Sequence, residues 1–482
     1  MTERNSTLDS ATRRQFMGGA AALGAASAAR SPSAARGRPN VLFIVSDQWS
    51  PLAAGLDGAN RTLRTPAADS IAAGGMRFDN AYCSFPLCSP SRASLLMGRM
   101  PHECGVMFNF QGSDRGGAIP ESTPRLGDLF SEAGYDTGYF GKEHLDGAGY
   151  RGFRERGSLE YPGAGAVADG SALDPVFVRD ALGFIRARRD KPFLAVVSLI
   201  NPHDICYVPS GPVSPEKKTM VGITTAFSPS YWRAGENGPK GKYLRGLDLP
   251  PLRPNFNAVS PLSRRRPWTE EEYRTYLATY YLLIENTDWH IGCLLGALRE
   301  AGIEKNTLVL FTADHGEQMG SHQLIGKMVF YEEAARVPLA ISWPGVIRPG
   351  QVSRGLVSGI DVLPTLCNYV GARIPSGVTG RSLRPLVEQA SAPWRGSLVS
   401  ETETARMLRY GRHKYIRYKP ARHLEMLFDL ENDPGETRNL AEDPGHNSEL
   451  EDHRKMLDAW MAHSGGSFEQ VETEIEKWLG AR

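Results

Sequence analysis

Residues 40–48 read Asn40-Val41-Leu42-Phe43-Ile44-Val45-Ser46-Asp47-Gln48. A continuous apolar run of this length predicts a strand buried on both faces, the kind found inside a parallel sheet covered by helices. A carboxylate and an amide follow at once. Open α/β sheets gather their sites just past the carboxyl ends of their strands. Asp47 and Gln48 therefore stand where two hard oxygen ligands can meet a cation, although capping the next turn is the commoner work of such an Asp.

The pattern recurs down the chain. Pro192 to Ile200 is a second buried run and ends in Asn201-Pro202-His203-Asp204; Thr307 to Thr312 is a third and ends in Asp314-His315-Gly316. A strand over Asp136–Phe140 feeds Gly141-Lys142-Glu143-His144, and Arg336–Trp343 reads as another. Lys142 and His144, one residue apart, can both reach an anion held in a loop, or else are solvated in the usual way of lysines. His203 is an acid/base candidate, with a structural imidazole as the alternative. Lys327 lies in a later loop containing Gly and His.

Between these strands the sequence predicts helices. Thr65-Pro66 supplies an N-cap and an N1 proline, with Gly74-Gly75 as the stop. Further helices are expected over Arg125–Ala133, Asp174–Arg188 and Ile360–Tyr369, and a long one over Tyr273–Leu298 behind a Thr269/Glu272 capping box. The fold class is α/β, a large sheet flanked by helices, occupying residues 36–378. Beyond Val378 the pattern changes to short antiparallel strands, Leu398–Thr402, Ala405–Tyr410, His413–Tyr418 and Glu425–Asp429, then an amphipathic helix over Ser448–His463. This predicts a smaller C-terminal α+β subdomain, residues 379–482. There is no internal repeat.

A strand expected over Met76–Tyr82 leads into Cys88-Ser89-Pro90-Ser91-Arg92-Ala93-Ser94-Leu95-Leu96-Met97-Gly98-Arg99. This places a thiol at a helix start, where unpaired N–H groups and the helix dipole favour an anion. The other reading is a small buried hydrophobe beside a helix-start turn. A thiolate phosphatase loop is a poor match, because only three residues separate Cys88 from Arg92 and no Gly-rich run is there to wrap a phosphate.

The ends and the composition narrow the class. Thr12-Arg13-Arg14-Gln15-Phe16-Met17, then a short Gly/Ala-rich run ending at Arg30, read as a twin-arginine export signal within residues 1–35 rather than a membrane span. The expected location is periplasmic or secreted, and that route carries proteins already folded, which suits one needing a modification or cofactor first. A net charge of +1 in 482 residues argues against a general nucleic-acid binder. Six cysteines, at 83, 88, 104, 206, 293 and 367, show no paired spacing for a disulfide framework or thiolate zinc site. Residues 205–268 are rich in Pro, Gly and basic side chains, among them Lys217, Lys218, Lys240, Lys242 and Arg264-Arg265-Arg266. They form either a substrate-reading insertion or a solvated excursion.

Taken in order, these residues resemble the formylglycine-dependent sulfatases, a branch of the alkaline phosphatase superfamily. The likeness runs from Pro39 to Leu440. It rests on Cys88 to Arg92 with Leu95 to Arg99, on Val41 to Gln48, Thr65-Pro66, Gly141-Lys142 with His144, Pro202-His203 and Thr307 to Gly316. Further along it includes Asp361 to Thr365, Gly380-Arg381-Ser382-Leu383, and Leu427 to Asn439.

The resemblance implies an alkaline-phosphatase-like large mixed sheet and hydrolysis of a sulfate monoester. It implies that a maturase oxidises Cys88 to formylglycine, whose hydrate is the nucleophile. A divalent cation would be held by Asp47, Gln48, Asp314 and His315 with a hydrate oxygen of residue 88, and Arg92 and Lys142 would steady that hydrate. His203, assisted by Lys327, would give the leaving alcohol its proton, and His144 would take the proton whose loss expels sulfate. Many members carry Asp-Asp where this chain has Asp47-Gln48, Asp-Asn where it has Asp314-His315, and Thr at Met97. The ion expected is calcium, with manganese and magnesium as alternatives given the imidazole. A sulfated small molecule or oligosaccharide is the expected substrate. A phosphonate monoester or phosphodiester hydrolase, which shares the Asp-Gln and Asp-His set, and a non-catalytic sulfated-glycan binder are the rivals.

Overall fold

The computed structural model describes residues 37–53, 63–110, 117, 119–161, 169–207, 249–258, 260–262, 267–389, 392–419 and 424–468. The expected export signal lies outside them, as does most of the basic 205–268 segment. From Arg38 onward the described residues make one compact unit.

Seven strands form the main sheet: β1 (Asn40–Asp47), β2 (Gly75–Phe78), β3 (Asp136–Gly141), β4 (Phe193–Pro202), β5 (Thr307–Ala313), β6 (Leu339–Ser342) and β7 (Gln351–Ser353). Their order is β3-β4-β1-β5-β6-β2-β7. All eight residues of β1 are buried, as its unbroken apolar run requires. It pairs in parallel with β4 and β5, Val41 facing Leu194 on one side and Leu308 on the other. Parallel, aligned neighbours end together, so Asp47, His203 and Asp314 leave the sheet at one edge. β6 runs antiparallel to both β5 and β2, making the sheet mixed. The strand expected over Met76–Tyr82 stops at Phe78, because Asp79 ties back to Arg77 and Asn80 to Arg354; Ala81–Tyr82 pairs separately with Val357–Ser358.

The helices flanking this sheet are α1 (Pro66–Ala73), α2 (Cys88–Met97), α3 (Asp169–Arg186), α4 (Glu270–Glu300) and α5 (Val362–Val370), with shorter turns between. The expected capping box of α4 is present: Glu272 N donates to Thr269 Oγ1 at 3.2 Å, and Thr269 N donates to Glu272 Oε2 at 2.7 Å. The expected cap of α1 is not. Thr65 Oγ1 turns to Asp69, and the free N–H groups of Ala67 and Ala68 are satisfied from α4 by the Asp288 carboxylate, at 3.0 and 2.8 Å. A long-range carboxylate displaces the local hydroxyl, as a full charge at a helix N-terminus should.

The second sheet is an antiparallel meander of β8 (Ser397–Glu401), β9 (Ala405–Tyr410), β10 (His413–Tyr418) and β11 (Glu425–Asp429). Alternate residues serve its two faces. Leu408, Tyr415 and Leu427 pack on Leu450 and Leu457 of α6 (Asn447–Ser464). Met407, Ile416, Met426 and Phe428 pack on Leu324, Phe330 and Tyr331, so the sheet backs the loop that carries Lys327.

A buried ion pair ties the short helix after α2 to this sheet. Both oxygens of Glu401 lie 2.9 Å from His102 Nδ1, the His102 backbone N–H adds a third bond, and Nε2 lies 3.0 Å from the Ser464 carbonyl. Burial alone would lower the proton affinity of His102, but Glu401 outweighs it and raises the pKa to about 9. A folded pKa above the unfolded value contributes stability that is complete below the unfolded pKa and is lost as pH rises through the folded one. The unfolding free energy of the wild type minus that of His102→Gln is therefore expected to be largest below pH ~6.5. It should shrink by about 3 kcal/mol as pH passes through the range set by the folded value. Urea titrations of both proteins from pH 6 to 10 check this, and a pH-independent difference would refute it.

Candidate active site

Asp47 closes β1, and Gln48 bends the chain away with a left-handed φ of 69°. That conformation costs a non-glycine residue about 1 kcal/mol. Two buried bonds hold it: Gln48 N donates to Asp314 Oδ1 at 3.0 Å, and its carbonyl accepts from the Tyr280 hydroxyl at 2.5 Å.

Cys88 is the first residue of α2, and the whole helix is buried. Its first turn is stitched to the strand ends. Ser89 N donates to Asn109 Oδ1, Ser89 Oγ to the His144 carbonyl, and Ser91 Oγ to the Asp314 carbonyl. Arg92, one turn on, reaches four acceptors: Asp314 Oδ2 (2.9 Å), Asp47 Oδ2 (3.1 Å), Ser198 Oγ (2.7 Å) and the Lys142 carbonyl (2.7 Å). Lys142 Nζ stands 2.6 Å from Asp47 Oδ2. The outer oxygens of both aspartates are thus committed to cations.

Their inner oxygens face each other's neighbours. Asp47 Oδ1 is 3.7 Å from both Cys88 Sγ and His315 Nε2, Asp314 Oδ1 is 3.7 Å from His315 Nε2, and Cys88 Sγ is 3.3 Å from that nitrogen. One donor atom from each of the four lies within 4.8 Å of all the others. His315 Nδ1 sits 2.9 Å from the Gly316 carbonyl, which can only accept, so Nδ1 carries a proton and Nε2 is the nitrogen that faces the cluster. Burial and Asp47 push the Asp314 carboxyl up to about 6. Burial and Cys88 push Asp47 the same way, but Lys142, His203 and Lys327 prevail and hold it below the usual carboxylate range. Two buried carboxylates and an imidazole nitrogen gathered on one point fit a divalent cation.

Gln48 stands at the rim of this cluster. Its Oε1 accepts from Lys327 Nζ at 2.8 Å and from the Cys206 thiol at 3.1 Å, and its Nε2 donates to Glu317 at 2.5 Å. Lys327 Nζ also lies 3.1 Å from Cys88 Sγ, and although burial pulls its ammonium down, the anions around it keep it charged. Burial would raise the Cys88 thiol; Lys142, Lys327 and His315 bring it well below its ordinary value. His144 has a φ of 59°. Its Nε2 is 2.9 Å from the Phe110 carbonyl and so bears the proton, leaving Nδ1 as the basic atom beside Cys88. Burial, then Lys142 and Lys327, lower His203 to about 4.

All ten residues singled out in the sequence, Asp47, Gln48, Cys88, Arg92, Lys142, His144, His203, Asp314, His315 and Lys327, therefore stand in one buried neighbourhood. Glu317 was not foreseen, although it lies two residues past His315 in the same strand-end run. Nor was the part played by α4, where Tyr276 and Tyr280 read only as apolar periodicity.

The chain matches the family model described as Sulfatase over residues 39–372, and that described as N-sulphoglucosamine sulphohydrolase, C-terminal, over residues 320–462. It is 31% identical over 473 residues to a Delta 4,5-hexuronate-2-O-sulfatase of Bacteroides thetaiotaomicron, covering 92% of each chain. It is 28% identical over 482 residues to an ulvan-active sulfatase of Formosa agariphila, covering 92% of this chain and 84% of that one. The solved structure of a 2-O GAG sulfatase superposes with a TM-score of 0.75 at 31% identity, over 89% of this chain and 93% of that one. The chain belongs to the sulfatase family of the alkaline phosphatase superfamily, with the fold of that superfamily and the activity of a sulfuric ester hydrolase.

Proposed function

We propose that the chain removes a sulfate ester from an anionic carbohydrate, a 2-O-sulfated uronic acid residue being the first candidate because one relative at 31% identity is a Delta 4,5-hexuronate-2-O-sulfatase and one superposed structure is that of a 2-O GAG sulfatase. The observation that carries the reading is the position of Cys88: at a helix start, touching a cation-binding cluster on one side and Lys327 on the other. In the proposal Cys88 is oxidised to formylglycine by a maturase. Residue 88, so modified, would offer an oxygen nucleophile, and Asp47, Gln48, Asp314, His315 and residue 88 would hold a divalent cation whose Lewis acidity would serve the sulfuryl group. Calcium is the proposed ion, with manganese and magnesium as the alternatives.

The side chains have separate tasks. Arg92 and Lys142 grip the outer carboxylate oxygens, which turns the inner ones to the ion and adds fixed positive charge where the sulfuryl group gains negative charge. His203 is held neutral by burial and two lysines; a sulfate anion beside it raises its proton affinity, and with Lys327 it protonates the leaving alcohol. His144 Nδ1 takes the proton whose loss releases sulfate, the Phe110 carbonyl fixing the tautomer.

Mass spectrometry of the tryptic peptide spanning residue 88, with sulfate release from an unsaturated 2-O-sulfated uronate disaccharide, tests the reading. Formylglycine at residue 88 and sulfate release are expected. An unmodified thiol in material made with a competent maturase, or a strong preference for an aryl phosphonate over the matched aryl sulfate, would overturn it. Chelation with EDTA should abolish turnover and lower the melting temperature, with elemental analysis of the untreated protein naming the ion.

We further propose that the enzyme leaves the cytoplasm through the twin-arginine route, after modification, and that residues 205–268 read the substrate's remaining anionic groups. Among the described residues no helix is long and apolar enough to cross a membrane. Replacing Arg13 and Arg14 by lysine should retain the protein in the cytoplasmic fraction.

A further inference from the structure

We propose that Glu317 is a positioning residue of the site, one carboxylate that sets both the direction of the Gln48 amide and the reach of Lys327. The inference rests on the sulfatase reading above and assigns a role to a side chain that touches no reacting atom.

Glu317 is fully buried, and its bonds come from neutral donors. Oε2 accepts from Gln48 Nε2 at 2.5 Å. Oε1 accepts from Gly326 N at 2.6 Å, from the Tyr276 hydroxyl at 2.8 Å and from Met319 N at 3.3 Å. A carboxylate buried among neutral donors is expensive, and its worth lies in being an acceptor on every side. A primary amide can take either orientation, and this acceptor selects one. With Nε2 on Glu317, Gln48 Oε1 points the other way, to Lys327 Nζ. Turned over, the amide would set its NH2 against an ammonium.

The second oxygen works on the loop. From Met319 to Met328 four non-glycine residues have left-handed φ: Met319 (55°), His322 (55°), Gln323 (58°) and Met328 (71°). The segment does not hold that shape by its own preference and needs ties from outside. Glu317 binds the N–H at one end, Met319, and the N–H of Gly326 just before Lys327 at the other. Tyr273 adds a bond to the Gln323 carbonyl midway, at 2.8 Å. Glu317 therefore closes the loop with the same group that orients Gln48.

The test uses modified full-length protein and four variants: Glu317→Gln, Gln48→Ala, the double variant, and Tyr276→Phe, which removes a donor from Glu317 without touching Gln48 or the loop backbone. Glu317→Gln is expected to lower kcat by about 10- to 100-fold. In the Gln48→Ala background the further loss should be several-fold smaller than in the wild type, since of its two tasks only the hold on the Lys327 loop remains. Tyr276→Phe should stay within about threefold of wild type. Two readouts are independent of turnover. The rise in melting temperature on adding calcium chloride to EDTA-treated protein should fall in Glu317→Gln, and amide exchange across 319–328 should quicken at least tenfold. Equal losses of kcat in both backgrounds, an unchanged calcium shift, or Tyr276→Phe as damaging as Glu317→Gln would overturn the proposal. If wild-type protein releases no sulfate from any ester, the sulfatase reading fails by itself; the calcium shift and the exchange rates still decide what Glu317 does.

Discussion

Cys88→Ala is expected to lower kcat by about 10,000-fold or more while the fold survives. The size follows from what is removed. Residue 88 is the precursor of the proposed nucleophile and one of the four clustered donors proposed to hold the cation, so both functions go at once. The fold survives because the neighbours of Sγ keep other partners: Lys327 retains Gln48 at 2.8 Å, and His315 retains Gly316 at 2.9 Å. Alanine is also a good helix former in the first turn of α2. Single-turnover assays with a true sulfate ester, with thermal melts of both proteins, check the two halves separately. Turnover equal to wild type would mean that the chain's sulfate chemistry does not pass through residue 88. A collapsed melting temperature would mean that the buried thiol is a structural group after all.

That residue was legible in the sequence because its setting is local: a thiol, Ser-Pro-Ser and an arginine one turn on form a helix start without help from elsewhere. The strand-end residues were legible for a related reason. An unbroken apolar run fixes a buried strand, and a parallel sheet brings every strand's carboxyl end to one edge, so Asp47, His203 and Asp314 converge without any long-range information. Where the sequence misleads, the deciding partner lies far along the chain. Thr65 has the right residue type for a cap, yet Asp288, 220 residues away from Ala68 in sequence, supplies it. Glu317 is silent for the same reason, since its meaning lies in Gln48, Tyr276 and Gly326, none of which it adjoins. The edge strand β7 was missed because three residues, partly exposed, carry no periodicity to read.

Arg92→Ala is expected to lower the unfolding free energy by about 3–5 kcal/mol, with a large loss of kcat. The guanidinium, 2% exposed, lies between two carboxylates that are 0% exposed, and a buried ion pair is costly chiefly when one member is taken away. Asp47 Oδ2 would keep Lys142 and the Lys142 carbonyl would keep the Tyr139 hydroxyl at 2.9 Å, but the bond from Arg92 Nε to Asp314 Oδ2 has no substitute among the contacts described, and Ser198 Oγ loses the guanidinium. Arg92→Lys should restore charge and little more, because one ammonium cannot span four acceptors that the planar fork reaches together. A second change separates the charge from the volume. If the destabilisation comes from an uncompensated charge at Asp314, adding Asp314→Asn to Arg92→Ala should recover a substantial part of it, although Asp314→Asn alone destabilises. Urea unfolding of the four proteins, all treated with EDTA so that a bound cation cannot replace the lost charge, measures the cycle. Additive losses would locate the cost of Arg92→Ala in the emptied volume and the lost neutral hydrogen bonds, and would remove the charge pair as the reason that α2 is anchored to the strand ends.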